Sequence, residues 1–220
     1  MSESLPLVML GAGGHARVLQ ALMAASGRRL LGVCDPALVA SGQRAWHGIA
    51  VLGADDALLQ FGCDAVGVVN GLGQLVGESR RETLFARWSA LGYRFPALVH
   101  PAAWVADGVL LGAGVQIMAG AVVQPGCTVG DGTIINTRAG IDHDCSIGPH
   151  VHIAPGATLC GGVTLGAGVF VGAGATVVQG ITVGAKAVVG AGATLVRNLE
   201  CGAQVLGAPV RRNQQFPESI

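Results

Sequence analysis

The chain has 220 residues, with 13 basic and 13 acidic side chains, 36 glycines, 51% hydrophobic residues and only 4% aromatic ones. Abundant Val, Ile, Leu and Ala with no net charge exclude a disordered chain. The scarce aromatics argue against a conventional core throughout, and the balanced charge gives no electrostatic footing for nucleic acid or an anionic membrane.

The N-terminus has no basic segment leading into an apolar stretch and a small-residue cleavage site, so no signal peptide is expected. Six scattered cysteines lack the density of a disulfide scaffold, and a reduced, cytoplasmic protein is expected. Leu5–Leu10 reads as an apolar strand, followed by Gly11-Ala12-Gly13-Gly14-His15 and an apolar-periodic helix to about Ser26. Further strands are expected at Leu30–Cys34, Ile49–Leu52 and Ala65–Asn70, with helices over Ala54–Phe61 and Gln74–Leu91. This alternation predicts a small Rossmann-like α/β domain with a parallel sheet over residues 1–98, and all but three of the nine aromatics lie before residue 97. Pro96 and Pro101 mark a linker near Phe95–Ala103.

A glycine turn between a strand and a helix lets a phosphate reach the backbone and the first helical amides. Gly13, Gly14 and His15 are therefore candidate substrate-binding residues, and Asp35, at the end of the second strand, stands where a ribose-binding acid would. The domain is too short for both halves of a dinucleotide fold, so a nucleotide or a nucleotide-sugar diphosphate fits better.

The second half obeys a period of six. Every sixth residue from Val105 to Leu195 is Val, Ile or Leu, sixteen in succession. A small or β-branched residue almost always stands two positions before each, and Gly is common immediately after. Such a period matches neither a helix nor simple strand alternation; it matches the hexapeptide parallel β-helix. Three hexads make one triangular coil, so residues 18 apart stack, as Gly112, Gly130, Gly148, Gly166 and Gly184 do. The β-helix is expected over residues 99–205, with a tail over 206–220. It also explains why Cys145–Ala185 carries no Asp, Glu, Lys or Arg without invoking a membrane span.

In the hexad around Asp142-His143-Asp144, His143 is two residues past the inward Ile141, which points it outward. An outward His beside a carboxylate can take a proton near neutral pH and be oriented by its neighbour. His152 lies half a coil further on, so the two imidazoles face different directions in one chain and could converge across a groove between subunits. Zinc is not expected, because Cys145 belongs to the inward column while His143 points out. Cys127 and Cys145 stack one coil apart and could approach disulfide distance, but small buried thiols are the favoured explanation. The column Asn136, Ala154, Gly172, Gly190 narrows to glycine, which would leave room for a pantetheine arm. Lys186, Arg197, Arg211 and Arg212 are the nearby cations for its phosphates.

The repeat resembles the hexapeptide acyltransferases. With Gly11–His15 in front, and Ile135-Asn136-Thr137 and Asp142-His143-Asp144-Cys145 in the repeat, the whole chain is similar to bacterial nucleotide-sugar N-acetyltransferases and sialic-acid O-acetyltransferase-like proteins. The Gly207-Ala208-Pro209-Val210 segment resembles the family's C-terminal stretch. The resemblance implies a left-handed β-helix, a homotrimer, and acetyl-CoA held in grooves between neighbouring β-helices without metal. It implies acetyl transfer to the 4-amino group of a UDP-linked deoxy-amino sugar. It assigns the general base to His143, its orientation to Asp144, the thioester region to His152, and further acetyl-CoA contacts to Gly161, Ala173 and Ala191. O-acetylation of a sugar or sialic acid, and a silent nucleotide-sugar-binding β-helix, remain the alternatives.

Overall fold

The computed structural model describes residues 5–208. The front half runs β1 (Leu7–Leu10), α1 (Gly14–Ala25), β2 (Leu30–Cys34), α2 (Pro36–Ala40), β3 (Ala45–Trp46), β4 (Ile49–Gly53), a 3-10 turn over Asp55–Gln60, β5 (Gly67–Asn70) and α3 (Arg80–Ala90). The sheet order is β3-β4-β2-β1-β5, parallel except for the β3–β4 pair. β1 is wholly buried, and α1 packs Ala16, Leu19, Leu22 and Met23 inward at helical spacing. Both neighbours of β1 lie across the point where the chain direction around the sheet reverses. The switch point thus falls between β1 and β5, and the carboxyl ends of these strands mark the usual ligand position in such sheets.

Two departures from the sequence expectation matter here. The helix expected over Gln74–Leu91 begins only at Arg80, because Gly77 takes φ +82°, which an α-helix cannot contain. Residues 71–79 instead form a strap leading from β5 across to the second domain. The short α2 was not foreseen; Asp35 caps it, accepting from the Ala37 and Leu38 amides, with Pro36 in its first turn.

From Leu98 onward, two-residue strands recur every six residues as far as Thr194–Leu195, with a last strand at Gln204–Val205. Each pairs in parallel with the strand one coil away, as Gly140 faces Thr158 and Ile141 faces Leu159. The result is a three-walled prism whose sheets hold five, six and seven strands. The aliphatic column from Ile117 to Leu195 fills the interior together with its small partners. Each fully buried Val, Leu or Ile contributes roughly 1.5–3 kcal/mol, so regular stacking replaces aromatic bulk. The glycines after the aliphatics serve that stacking: a Cβ at Gly166 would lie 2.6 Å from the Ala185 nitrogen, and at Gly172 it would lie 2.5 Å from that of Ala191.

Two residues further along each hexad, from Gly108 to Gly192, the backbone is left-handed, and glycine holds most such corners. The four exceptions are Arg138, Asp144, His150 and Lys186, with φ between +55° and +59°. Such conformations cost an L-residue about 1–2 kcal/mol.

The two domains share core. Leu98, Met118 and Ile134, on or beside the seven-stranded wall, join the cluster containing Leu7, Met9 and Leu19. All six cysteines are free; the stacked Cys127 and Cys145 are buried, donating to the Asp142 and Cys160 carbonyls. Among the described residues no helix is long and apolar enough to cross a membrane.

Candidate active site

At the glycine turn, Gly13 and Gly14 are exposed and a Cβ on either would meet nothing within 4 Å. Gly13 starts α1 without a side-chain cap, which leaves its first amides facing open space. Asp35 shapes this turn: its Oδ2 accepts the Ala12 N–H at 2.9 Å while its Oδ1 caps α2. The expected ribose acid is thus already engaged by three backbone donors.

His15 faces inward. Its Nε2 lies 2.8 Å from Gln116 Oε1 on the seven-stranded wall, and Gln116 Nε2 donates to the Asn70 carbonyl at 2.9 Å. Because the amide nitrogen of Gln116 is committed to Asn70, the proton of this contact sits on His15 Nε2. Burial pushes the His15 pKa down to about 4, with the Arg81 charge adding to the effect, so the ring is a neutral link between domains.

Arg81 completes the junction, and among the described residues no carboxylate pairs with it. Its Nη1 donates to the Leu72 carbonyl at 2.6 Å and to Asn70 O at 3.1 Å; its Nη2 donates to Gly132 O on the β-helix at 3.2 Å. Burial lowers its pKa to about 9. The strap it anchors carries Gln74, whose Nε2 donates to the His150 carbonyl at 2.8 Å. The Gln74 carbonyl in turn meets His152 Nδ1 at 3.4 Å.

His152 is therefore a buried residue, 9% exposed, on the seven-stranded wall. Asn136 Nδ2 approaches its Nε2 at 3.3 Å, and Phe170 meets the ring edge-on, with centroids 4.9 Å apart. Asn136 Oδ1 is held by the Thr137 amide at 2.8 Å. Burial pushes the His152 pKa down to about 4. A cavity of about 230 Å³ opens beside this group, lined by Gln74, Val76, His150, Phe170, Lys186 and Val188. The sequence reading missed Gln74, Arg81, Gln116 and Phe170; a polar Gln116 among outward apolar residues was the one available signal.

His143 stands elsewhere, at the corner between the six- and five-stranded walls, with 62% of its side chain exposed. Its Nδ1 lies 2.8 Å from Asp144 Oδ2, and its backbone N–H donates to Asp142 Oδ1 at 2.8 Å. The Asp144 contact, then the Asp142 charge, raise the His143 pKa above its usual value. With Nδ1 turned to the carboxylate, Nε2 is the nitrogen presented outward. A shallow groove lined by Gln124, Asp142, Thr158 and Cys160 adjoins it.

Gly161 lies one coil above His143. Ala173 and Ala191 are exposed and stacked on another corner, where the Gly192 amide donates to the Ala173 carbonyl. At Gly172 the space expected for a pantetheine arm is filled by the backbone of the next coil, and at Gly190 a Cβ would meet Val205 O at 2.9 Å. Glycine there reports coil stacking, so the physical reason first given for that column does not hold. Of the expected cations, Lys186 lines the cavity and Arg197 is exposed, while Pro209, Val210, Arg211 and Arg212 lie outside the described residues. Among the described residues no three His, Cys, Asp or Glu side chains are gathered to hold a metal ion.

Residues 103–143 match the pattern described as bacterial transferase hexapeptide (six repeats), and residues 6–85 match the PglD N-terminal domain. The two domains and the outward His143–Asp144 pair together define a hexapeptide-repeat transferase. A mutant of the perosamine N-acetyltransferase from Caulobacter crescentus, in complex with CoA and GDP-perosamine, superposes with a TM-score of 0.83 at 35% identity, covering 94% of this chain and 95% of that one. The acetyltransferase domain of PglB from Neisseria gonorrhoeae, in complex with acetyl coenzyme A, gives 0.85 at 35% identity, covering 94% and 98%. WeeI from Acinetobacter baumannii shares the fold at 0.80 and 23% identity, covering 94% and 99%. No match was found among curated proteins. The chain belongs to the hexapeptide-repeat, left-handed β-helix family of nucleotide-sugar N-acetyltransferases represented by the first two of these structures.

Proposed function

We propose that this protein transfers an acetyl group from acetyl-CoA to the 4-amino group of a nucleotide-linked deoxy-amino sugar in bacterial glycan biosynthesis. The observation that carries the reading is the His143–Asp144 pair, with Nδ1 held by the carboxylate at 2.8 Å and Nε2 presented outward. Nε2 takes a proton from the sugar amine as nitrogen attacks the thioester carbonyl; the C–N bond forms, the C–S bond breaks, and the departing thiolate recovers the proton from His143. Backbone amides at the groove stabilise the developing oxyanion.

The exposed amides at Gly13 and Gly14 hold the nucleoside diphosphate, with Asp35 fixing the turn. The nucleobase is uracil in the sequence reading and guanine in the C. crescentus relative, so both belong in the assay. Asn136, His152, Gly161, Gly172, Ala173, Gly190 and Ala191 are the positions proposed to receive acetyl-CoA. Within one chain His143 and His152 occupy different walls, one exposed and one buried beneath the strap. A neighbouring copy in a homotrimer would bring the base of one subunit to the acyl donor of the next. The enzyme is proposed to act in the cytoplasm.

The test is acetyl-CoA consumption against a panel of UDP- and GDP-linked 4-amino-deoxy sugars. An alkali-stable amide product and an inactive, normally melting His143→Ala variant are expected. Near-normal turnover by that variant would remove the mechanism. An alkali-labile product would show an O-acetyltransferase, and failure to bind acetyl-CoA a non-catalytic binding protein.

A further inference from the structure

Two residues past each inward aliphatic, from Asp107 to Arg197, every hexad carries a side chain except one, which has Gly161. Gly161 is not among the residues with positive φ, so its backbone conformation does not call for glycine. Nor does coil stacking: the three atoms nearest a Cβ there belong to a side chain, whereas at Gly166 and Gly172 they belong to the backbone of the next coil. It would instead lie 2.7 Å from both Cε1 and Nε2 of His143, and 3.3 Å from Cδ2. The one missing side chain in this column thus lies directly over the nitrogen that the Asp144 contact leaves free.

We propose that Gly161 is a positioning residue for His143: its bare Cα seats the imidazole against Asp144 and keeps Nε2 uncovered for the incoming amine. This rests on His143 being the base. It is a role for the missing Cβ and differs from any contact that the Gly161 amide makes, because alanine would keep that amide. Gly126, one coil below Asp144, supports the same geometry from the other side; a Cβ there would strike Asp144 Oδ1. The pair is held in a slot between two glycines. Gly126 has φ +76° and so serves the backbone as well, which leaves Gly161 as the clean probe.

The atoms a Cβ at position 161 would meet belong to the far end of an exposed side chain. The chain can therefore accommodate Gly161→Ala by swinging the imidazole away, and the fold should be undisturbed. The charged groups acting on His143 are Asp142 and Asp144, from its own coil, and the Cys160 thiol lines the groove beside it.

The experiment compares wild type, Gly161→Ala and Gly161→Ser in three measurements: melting temperature, the NMR titration of His143, and kinetics with acetyl-CoA and a GDP- or UDP-linked 4-amino-deoxy sugar. Melting temperature should stay within about 2 °C. The His143 titration midpoint should fall towards that of an unpaired histidine as the Asp144 contact is lost. kcat should drop tenfold or more with the KM for acetyl-CoA changed less than about threefold. An unmoved His143 titration overturns the proposal, as does a loss carried by KM, which would make Gly161 a contact of the acyl donor. An active His143→Ala variant would sink the base assignment, while the titration would still report whether Gly161 seats the ring.

Discussion

Asp144 sits at a corner that glycine occupies in most coils, and it holds φ +58° there. Replacing it with glycine should separate stability from activity. A left-handed L-residue costs about 1–2 kcal/mol, at the lower end for Asp, which tolerates this region. Glycine returns roughly 0.4–1 kcal/mol of that through the greater freedom of the unfolded chain. The Asp144 amide keeps its bond to the Pro125 carbonyl in either case. The net gain is about 0–0.6 kcal/mol, or at most roughly 2 °C in Tm for a chain of this size. The same substitution removes the carboxylate 2.8 Å from His143 Nδ1. The His143 pKa is raised chiefly by that contact, so it should fall towards the usual histidine value of about 6.5. Since a base must be unprotonated to act, the acid limb of kcat/KM should move to lower pH. The plateau should drop about tenfold or more, because the ring is no longer oriented. Asp144→Asn should lose activity without the stability gain, as it retains the strained Cβ. Calorimetry and a pH–rate profile measure both halves. A glycine variant that keeps wild-type turnover, or that melts several degrees lower, would refute the reasoning.

Three further outcomes follow from the packing. His15 and His152 are held near pKa 4 against 6.5 in the unfolded chain, so between those values the unfolded state binds more protons. Their contribution is complete above about pH 6.5 and is lost as pH falls towards 4; Tm should decline over that window, less steeply in His15→Gln, and a flat profile would contradict the buried neutral rings. Arg81→Met strands the Leu72 and Gly132 carbonyls at the domain junction, while the Asn70 carbonyl keeps its bond from Gln116, and should cost about 2–3 kcal/mol in urea unfolding; a change below about 0.5 kcal/mol would show that the bridge contributes nothing. Gly172→Ala forces a Cβ against the next coil's backbone and should destabilise by about 1–3 kcal/mol, whereas Gly13→Ala, facing open space, should leave Tm nearly unchanged; equal effects would refute the stacking account.

The β-helix was legible because its order is periodic and local. Val105 to Leu195 at every sixth position requires only that each short strand repeat the last, and coil-on-coil pairing follows from that spacing. The outward aim of His143 and the adjacency of Asp144 come from the same arithmetic. The α/β domain was readable in its strands, but not at Gln74–Ser79, where apolar residues suggested helix and one left-handed glycine made a strap.

The junction belongs to the tertiary structure alone. Nothing in the spacing of His15, Asn70, Arg81 and Gln116 shows that they meet, because they come from two domains with unrelated periods and are brought together by burial of a shared apolar cluster. Once those groups leave water, each donor and acceptor must find a partner, and that requirement decided which way His15 and His152 turn. Composition and periodicity thus determined the prism and the face that carries His143. The distances between the glycine turn, the strap and the buried histidine were set by how two cores pack against each other, which depends on the shapes of side chains far apart in the chain.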